Sequence, residues 1–459
     1  MSLSSPELGS FLFAFAVLLA GVTLLGSLFE KLRQPKLAGE ILAGILLGPF
    51  IFGALAPDAY RGLFGSTDVS GKSSIIFGAL YWIGLLLLMF LSGTEMKRLF
   101  VKGMRREIGW LCGVGTLVPF LLILLFGSFL PMDAIAQGST PRLAALIVLA
   151  IAVAVTSIPV IARIFHDLGI LQTRFAGLIL GAAALDDVIL WGVLAIATAL
   201  AQAQGVMSGH FFGAMARDVS VTLGFMGIGF FLAPALLRKL NRARINTLAR
   251  TSPLGYAVLV LLAYTTLATW LKVDLVFAAF LAGYGLVAGG EPAVAGESAS
   301  ADESAPRFEH VLGESLQSVK KVAFTVFIPV YFGLIGQKLV FGGEFSLGLL
   351  LVFLVGSSLL RMLAAGAASH LAGFRGLDPF NISIALNARG GPGIVLASVA
   401  YEAHIINASF YTVLVLTALF TSQAAGAWLM FVLRKGWPLL SEKSPLKDAP
   451  VVVPERVAA

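Results

Sequence analysis

Charged residues are scarce in this sequence. They make up 12% of its 459 residues, whereas a soluble globular domain carries about 25%. Hydrophobic residues make up 58%. This composition excludes a soluble domain and predicts an all-α polytopic membrane protein, because apolar helices satisfy their own backbone hydrogen bonds inside a bilayer.

Cysteine and histidine are scarce too. The single cysteine, Cys112, lies in an apolar run, which excludes a disulfide framework and gives no indication of a metal site. The five histidines are scattered, and the chain has neither an HExxH nor a nucleophile-elbow pattern. We therefore expect a protein that is not an enzyme and that needs no cofactor. The net charge of +7 does not predict nucleic-acid binding, because Lys and Arg gather in short loops between apolar runs.

Apolar runs of about 20 residues, the length that spans a bilayer, recur along the whole chain. We count about 13 of them. The eighth and ninth are separated only by LKVD. The predicted spans are 9–29, 37–55, 73–93, 107–130, 142–165, 173–202, 218–238, 253–270, 273–290, 320–337, 345–372, 379–402 and 408–433.

The loops between these runs alternate in charge. Three of them are strongly basic, namely EKLRQPK, EMKRLFVKGMRRE and RKLNRARINTLAR, and the tail RKGWPLLSEKSPLK is basic as well. The intervening loops carry few Lys or Arg. The positive-inside rule therefore places the N-terminus outside and the C-terminus in the cytoplasm, which requires an odd number of spans.

Two adjacent carboxylates, Asp186 and Asp187, lie in the middle of the apolar run GAAALDDVILWGVLAIATAL. Each Asp at a helix centre costs roughly 2.5–3.5 kcal/mol on insertion scales. Neighbouring carboxylates repel each other, which favours a proton on one of them, while a deprotonated carboxylate is a hard ligand for a small cation. We therefore predict a site at which a proton and a cation compete. The alternative is that both acids pair with basic groups on other helices.

The preceding span, residues 143–169, is interrupted in its middle by Thr156, Ser157 and Pro159. Pro159 lacks an N–H and clashes with the preceding helical turn. Non-helical backbone at membrane depth is tolerated only inside protein or beside a water-filled cavity. We predict a broken helix at 156–159 that lines a cavity beside the aspartates. The alternative is a proline kink whose freed backbone groups bond to Ser and Thr.

A second interruption lies in residues 380–402, where Asn387, Arg389 and the run GGPG at 390–393 predict a break at 387–393. The two broken spans are the fifth and the twelfth. Broken helices in corresponding positions of two halves mark the site of transporters built from inverted repeats. We therefore expect two inverted-topology repeats with two crossed discontinuous helices.

This interpretation sets the domain boundaries. The first repeat covers 1–202, a connector span with a basic loop covers 203–250, and the second repeat covers 251–434. Within the second repeat, the Ala-, Ser- and Glu-rich segment 291–317 is predicted to be a flexible cytoplasmic linker. Residues 435–459 form a short cytoplasmic tail.

Two arginines lie within predicted spans. Arg361 is near the centre of the eleventh span and is a candidate counter-charge for Asp186, since an arginine keeps its charge in proteins. Arg389, in the second broken helix, is expected to neutralise nearby carboxylates or the partial charge of helix C-termini.

Six segments resemble the second cation/proton antiporter family, which includes bacterial Na+/H+ and K+/H+ antiporters and the plant CHX-type exchangers. The resemblance covers about residues 30–430, and the segments are most similar to those of the CHX-like branch. The segments are LAGEILAGILLGPFIFG, FLSGTEM, VTSIPVIARIFHDLGIL, AALDDVILW, VFIPVYFGLIG and LNARGGPGIVLAS.

The resemblance implies a homodimer in which a mobile core of six helices carries one site across the membrane by an elevator-like movement. It implies that Asp187 binds the cation and the proton, with Asp186 as the adjacent acid. Thr156 and Ser157 match the unwound stretch near the ion, which makes Asp187, Thr156 and Ser157 the expected ligands of a monovalent cation. Arg361 falls where electrogenic members have a lysine. We therefore hypothesise that Arg361 holds Asp186 ionised, that Asp187 alone titrates, and that exchange is electroneutral.

The function predicted from the sequence is exchange of a monovalent cation, K+ and/or Na+, for a proton, with K+ slightly favoured. A bacterial inner membrane is expected, with an organellar membrane as the alternative. Two other functions stay open. One is a Na+-coupled symporter of an organic anion on the same fold, and the other is a cation channel, although the sequence shows no filter-like repeat.

Overall fold

The fold is almost entirely helical, as the composition predicts. In the computed structural model, the sole β-type pairing among the described residues is one antiparallel bridge between Ala136 and Ile406. The structure describes residues 4–32, 34–64, 72–96, 104–138, 140–171, 173–202, 211–242, 246–288, 304–342 and 345–441. Part of the predicted linker, 291–303, and part of the predicted tail, 442–459, lie outside these residues.

The predicted membrane spans all coincide with helices. Within the described part of the chain, 11 helical stretches are long and apolar enough to cross a bilayer, as judged by length and composition. Two shorter apolar helices, Arg142–Ala154 and Leu275–Ala288, fall on the two remaining predicted spans. The chain is therefore an integral membrane protein.

The prediction of a flexible linker at 291–317 is wrong for residues 304–317. These residues belong to the helix Ser304–Val322. The Ala-, Ser- and Glu-rich composition suggested a solvated connector, but Leu312, Leu316 and Val319 recur at helical spacing. Such spacing gives a helix one apolar stripe, which composition alone does not reveal.

The chain divides into two compact units, and each takes segments from both predicted repeats. The first unit comprises Met1–Thr23, Ala43–Lys97 and Gly209–Gln337. The division into repeats therefore stays a prediction. The helices that contribute to the first unit are α1 (Ser5–Lys31) and α2 (Lys36–Leu47) in part, α3 (Phe52–Leu55), α4 (Pro57–Phe64), α5 (Lys72–Met96), α11 (Phe211–Gly227), α12 (Ala233–Arg242), α13 (Thr247–Thr251), α14 (Pro253–Leu271), α15 (Leu275–Ala288), α16 (Ser304–Val322) and α17 (Ile328–Lys338).

Within this unit, glycines bring the backbones of α5 and α15 into direct contact. A Cβ added at Gly283 would lie 1.9 Å from the Phe90 carbonyl oxygen, and one added at Gly93 would lie 2.1 Å from the Phe280 carbonyl oxygen. Small residues at helix interfaces permit this approach in membranes, where close packing replaces the hydrophobic effect as the force between helices.

We predict that Gly283→Ala destabilises the protein by about 1–3 kcal/mol, the usual range for overpacking. The added methyl group forces α15 away from α5. The matched control is Gly78→Ala on α5, where an added Cβ meets no atom within 4 Å. Thermal unfolding in detergent measures the difference, and equal melting temperatures for the two variants would contradict the prediction.

The second compact unit comprises Leu24–Leu42, Arg98–Ser208 and Lys338–Ala459. One of its spans contains a wider, π-helical turn at Leu111–Thr116, which separates two α-helical parts. The helices that lie wholly in this unit are α6 (Arg105–Trp110), α7 (Leu117–Phe126), α8 (Arg142–Ala154), α9 (Ile158–Asp167), α10 (Arg174–Gln202), α18 (Leu347–Ala372), α19 (Asp378–Leu386), α20 (Gly390–Glu402) and α21 (Ala408–Arg434).

Both broken helices are present in this unit, but each break is shorter than predicted. The first covers residues 155–157 rather than 156–159, because α9 begins at Ile158 and Pro159 is its second residue. Proline is tolerated in the first turn of a helix, where its missing N–H would have no intrahelical partner.

The second break covers residues 387–389 rather than 387–393. Gly390 has φ +35°, a backbone conformation that glycine adopts without a steric penalty. Residues 391–393 then continue as the first turn of α20. The run GGPG is therefore the start of a helix and not part of the break.

Candidate ion-binding site

The two breaks lie against each other and are joined by hydrogen bonds. The Ser157 N–H donates to the Ala388 carbonyl at 2.7 Å, and the Thr156 hydroxyl donates to the Leu386 carbonyl at 2.7 Å. A Cβ added at Gly390 would lie 2.4 Å from Val160 Cγ2. The two discontinuous helices therefore cross with no space for a larger residue at this position.

Two helices end at this crossing and two begin. The C-termini of α8 and α19 bring partial negative charge, and the N-termini of α9 and α20 bring partial positive charge. Hydroxyl groups cap both beginnings. Ser157 Oγ accepts from the Val160 N–H at 3.3 Å, and Ser422 Oγ accepts from the Gly390 N–H at 3.1 Å. These caps satisfy N–H groups that have no partner within their own helix.

Asp186, on α10, forms a buried ion pair with Arg361 on α18. Arg361 Nη2 lies 2.9 Å from Asp186 Oδ2, and the two side chains are 0% and 1% exposed. This is the pairing that the sequence predicts. A charge-assisted contact of this kind stabilises the charged form of both groups.

Thr116, which no sequence pattern indicated, forms hydrogen bonds with both members of this ion pair. Its hydroxyl lies 2.6 Å from Asp186 Oδ1, and Arg361 Nη1 lies 2.9 Å from the same hydroxyl oxygen. Arg361 Nη1 also donates to the Gly115 carbonyl. The π-helical turn that contains Gly115 and Thr116 is not visible in the sequence, and a threonine in an apolar run is a weak signal on its own.

Arg361 also reaches the first break. Its Nη2 donates to Thr156 Oγ1 at 2.8 Å. The structure therefore brings together three of the predicted site residues, Asp186, Arg361 and Thr156, around one guanidinium group. That group joins α10, α18, the π-helical turn and the first break.

Asp187 differs from its neighbour. It is 3% exposed, and its Oδ1 accepts no hydrogen bond from any residue that the structure describes. Successive residues on an α-helix point about 100° apart, so the side chains of Asp186 and Asp187 leave α10 in different directions. No hydrogen bond from Thr156 or Ser157 reaches Asp187 Oδ1, and their joint binding of a cation stays a prediction.

Arg389, at the second break, is 2% exposed and has no ion pair among the described residues. Its Nη1 donates to Ser357 Oγ at 2.8 Å and its Nη2 to Asn387 Oδ1 at 3.4 Å. The guanidinium lies 5.8 Å from the centre of the Phe353 ring, within cation–π range. Its position after the end of α19 suits the predicted role of offsetting a helix C-terminus.

The chain is similar to known transporters over most of its length. It is 24% identical over 429 residues to K(+)/H(+) antiporter 1 of Saccharomyces cerevisiae, a match that covers 91% of this chain but only 45% of the yeast protein. It is 22% identical over 422 residues to Na(+)/H(+)-K(+) antiporter GerN of Bacillus cereus, covering 92% of this chain and 96% of that protein.

The fold also matches a solved structure. The sodium proton antiporter MjNhaP1 of Methanocaldococcus jannaschii at pH 8 superposes with a TM-score of 0.60 at 16% identity, over 92% of this chain and 96% of that one. The family described as sodium/hydrogen exchanger, transmembrane, matches residues 15–435. The resemblance found in the sequence is thereby confirmed. Because the family match covers most of the chain, the protein belongs to the sodium/hydrogen exchanger family of transmembrane proteins.

Proposed function

We propose that the protein exchanges one monovalent cation for one proton, and that Asp187 binds the two in competition. One observation carries this proposal. Asp187 is a buried acid whose Oδ1 has no hydrogen-bond partner among the described residues. It directly follows Asp186, which is already ion-paired, and it lies in the unit in which the two broken helices cross.

The contrast between the two acids gives the mechanism its physical basis. The charge of Asp186 is offset by Arg361, while no described residue donates to Asp187 Oδ1. Burial disfavours a lone carboxylate charge unless an opposite charge or hydrogen bonds stabilise it. The buried Asp187 carboxylate is therefore stable when it holds a proton or a cation, and unstable when it holds neither. A site that crosses the membrane only when loaded exchanges one for the other.

Oxygen atoms of the first break are the proposed remaining cation ligands. Thr156 Oγ1 accepts one hydrogen bond and donates one, which leaves one lone pair free. Ser157 Oγ accepts from Val160 N and likewise keeps a lone pair. The last carbonyl groups of α8 lack intrahelical partners. Hard oxygen ligands of this kind suit an alkali cation.

We propose K+ as the preferred cation, with Na+ also carried. The names of the relatives support both ions, since one is a K(+)/H(+) antiporter and the other a Na(+)/H(+)-K(+) antiporter. We further propose an elevator-like movement in a homodimer of the bacterial inner membrane, with the N-terminus outside. The division of the chain into two compact units supports a mobile and a static part.

The test uses purified protein in proteoliposomes that enclose a pH-sensitive dye. Addition of K+, Na+ or Li+ to the outside is expected to move protons outward, with K+ giving the lowest KM. One-for-one exchange moves no net charge, so an imposed membrane potential should leave the rate unchanged. Acceleration by the potential would contradict electroneutral exchange. Cation movement that needs no counter-movement of protons would favour a channel, and dependence on an organic anion would favour a symporter.

A further inference from the structure

The direction of the hydrogen bonds around Asp186 follows from the chemistry of the donors. A threonine hydroxyl has one proton and two lone pairs, and a guanidinium group only donates. Arg361 Nη1 donates to Thr116 Oγ1 at 2.9 Å. The one proton of Thr116 is therefore left for Asp186 Oδ1, 2.6 Å away.

Both oxygens of Asp186 are consequently engaged as acceptors. Oδ1 accepts from Thr116 and Oδ2 accepts from Arg361 Nη2 at 2.9 Å. Thr156 cannot replace Thr116 in this role. It too accepts from Arg361, and its own proton goes to the Leu386 carbonyl.

The backbone around Thr116 is shaped for this contact. The π-helical turn Leu111–Thr116 presents the Gly115 carbonyl and the Thr116 hydroxyl to the same guanidinium nitrogen. An added Cβ at Gly115 would lie 3.4 Å from Ala365 Cα, at ordinary van der Waals distance, so the turn packs directly against α18. Single π-helical turns occur frequently at functional sites.

We propose that Thr116 is a positioning residue that keeps Asp186 out of the coordination of the transported cation, so that Asp187 is its one carboxylate ligand. This inference rests on the proposed function, because it assumes that Asp187 binds the cation. Each oxygen of Asp186 keeps a second lone pair, so the Thr116 hydroxyl acts by fixing the orientation of the carboxylate. Without this donor, Asp186 Oδ1 would be free to turn toward a cation at the adjacent Asp187. A cation held by two carboxylates binds more tightly and leaves more slowly.

The experiment compares Thr116→Val, Thr116→Ala and Thr116→Ser with wild type in the proteoliposome assay, and records KM and kcat separately for K+ and Na+. Thr116→Val and Thr116→Ala are expected to lower both KM and kcat by roughly tenfold, the effect of losing one hydrogen bond to a charged group. Thr116→Ser keeps a hydroxyl and is expected to restore both constants to near wild type.

The matched control is Thr198→Val. Thr198 is a buried threonine on α10 whose hydroxyl bonds to the Ala195 carbonyl of its own helix. Its replacement should leave KM unchanged. An unchanged KM in Thr116→Ala, an equal shift in Thr198→Val, or a failure of Thr116→Ser to restore KM would each overturn the inference while wild-type exchange still supports the proposed function. Absence of cation-dependent proton movement in the wild type would overturn both.

Discussion

Asp187→Asn is expected to lower cation-dependent proton movement by at least about a hundredfold, in line with the loss of a group that carries the transferred proton. Asparagine has nearly the same shape as aspartate. It has no carboxylate charge to attract a cation, and it cannot take up and release a proton near neutral pH. The variant should therefore fail at both halves of the exchange, whichever cation is offered.

The same substitution should leave the protein folded. Asp187 Oδ1 accepts no hydrogen bond within the described part of the chain, so the change breaks no contact at that atom. A neutral amide is also less costly to bury than an unpaired carboxylate. We expect thermal unfolding in detergent to occur at or above the wild-type temperature, which separates loss of transport from loss of structure.

Asp274→Asn provides a matched control with the same chemical change. Asp274 Oδ1 accepts from the N–H groups of Val276 and Phe277, at 3.0 and 2.9 Å, at the beginning of α15. Asparagine caps a helix about as well as aspartate. This control should transport at the wild-type rate. Transport by Asp187→Asn that approaches the rate of this control would show that Asp187 is not the carrier.

The helices and their breaks were predictable because hydrocarbon imposes strict limits on sequence. A run of about 20 apolar residues has few structural outcomes in a bilayer, and Pro159 and the run GGPG interrupt two such runs. The boundaries of the breaks were less predictable. Proline and glycine are compatible with the first turn of a helix. Pro159 and the run GGPG therefore lie at the start of the helix that follows each break, and the break itself comes before them.

The pairing of Arg361 with Asp186 was predictable for a related reason, since a charge within a membrane needs a partner. Thr116 was not predictable, because several other threonines in the spans bond to their own helix. Thr94 donates to the Leu91 carbonyl, and Thr198 to the Ala195 carbonyl. A sequence does not distinguish a hydroxyl of that kind from one that crosses to another helix.

The second large effect is expected at the ion pair. Arg361→Met should destabilise the protein by about 3–5 kcal/mol, because it leaves Asp186 as an uncompensated charge in a dry interior. Asp186→Asn leaves the arginine charge without its carboxylate and should cost a similar amount. The free energy of unfolding is measured by denaturant titration in detergent, with Asp187→Asn as the neighbouring variant that breaks no ion pair.

The double variant Asp186→Asn with Arg361→Met should recover most of this loss, because it removes both charges together and keeps similar side-chain volumes. A double-mutant cycle then gives the coupling energy of the pair.

Arg361→Lys tests the geometry separately from the charge. Arg361 donates to the Gly115 carbonyl, Thr116, Thr156 and Asp186, whereas an ammonium group has three donors at one point. The lysine variant should therefore be intermediate in stability, since it keeps the charge but leaves at least one of the four acceptors unmet. If the lysine variant matched wild type, the pair would act through charge alone, and the fork of the guanidinium group would have no part in joining α18 to the first break.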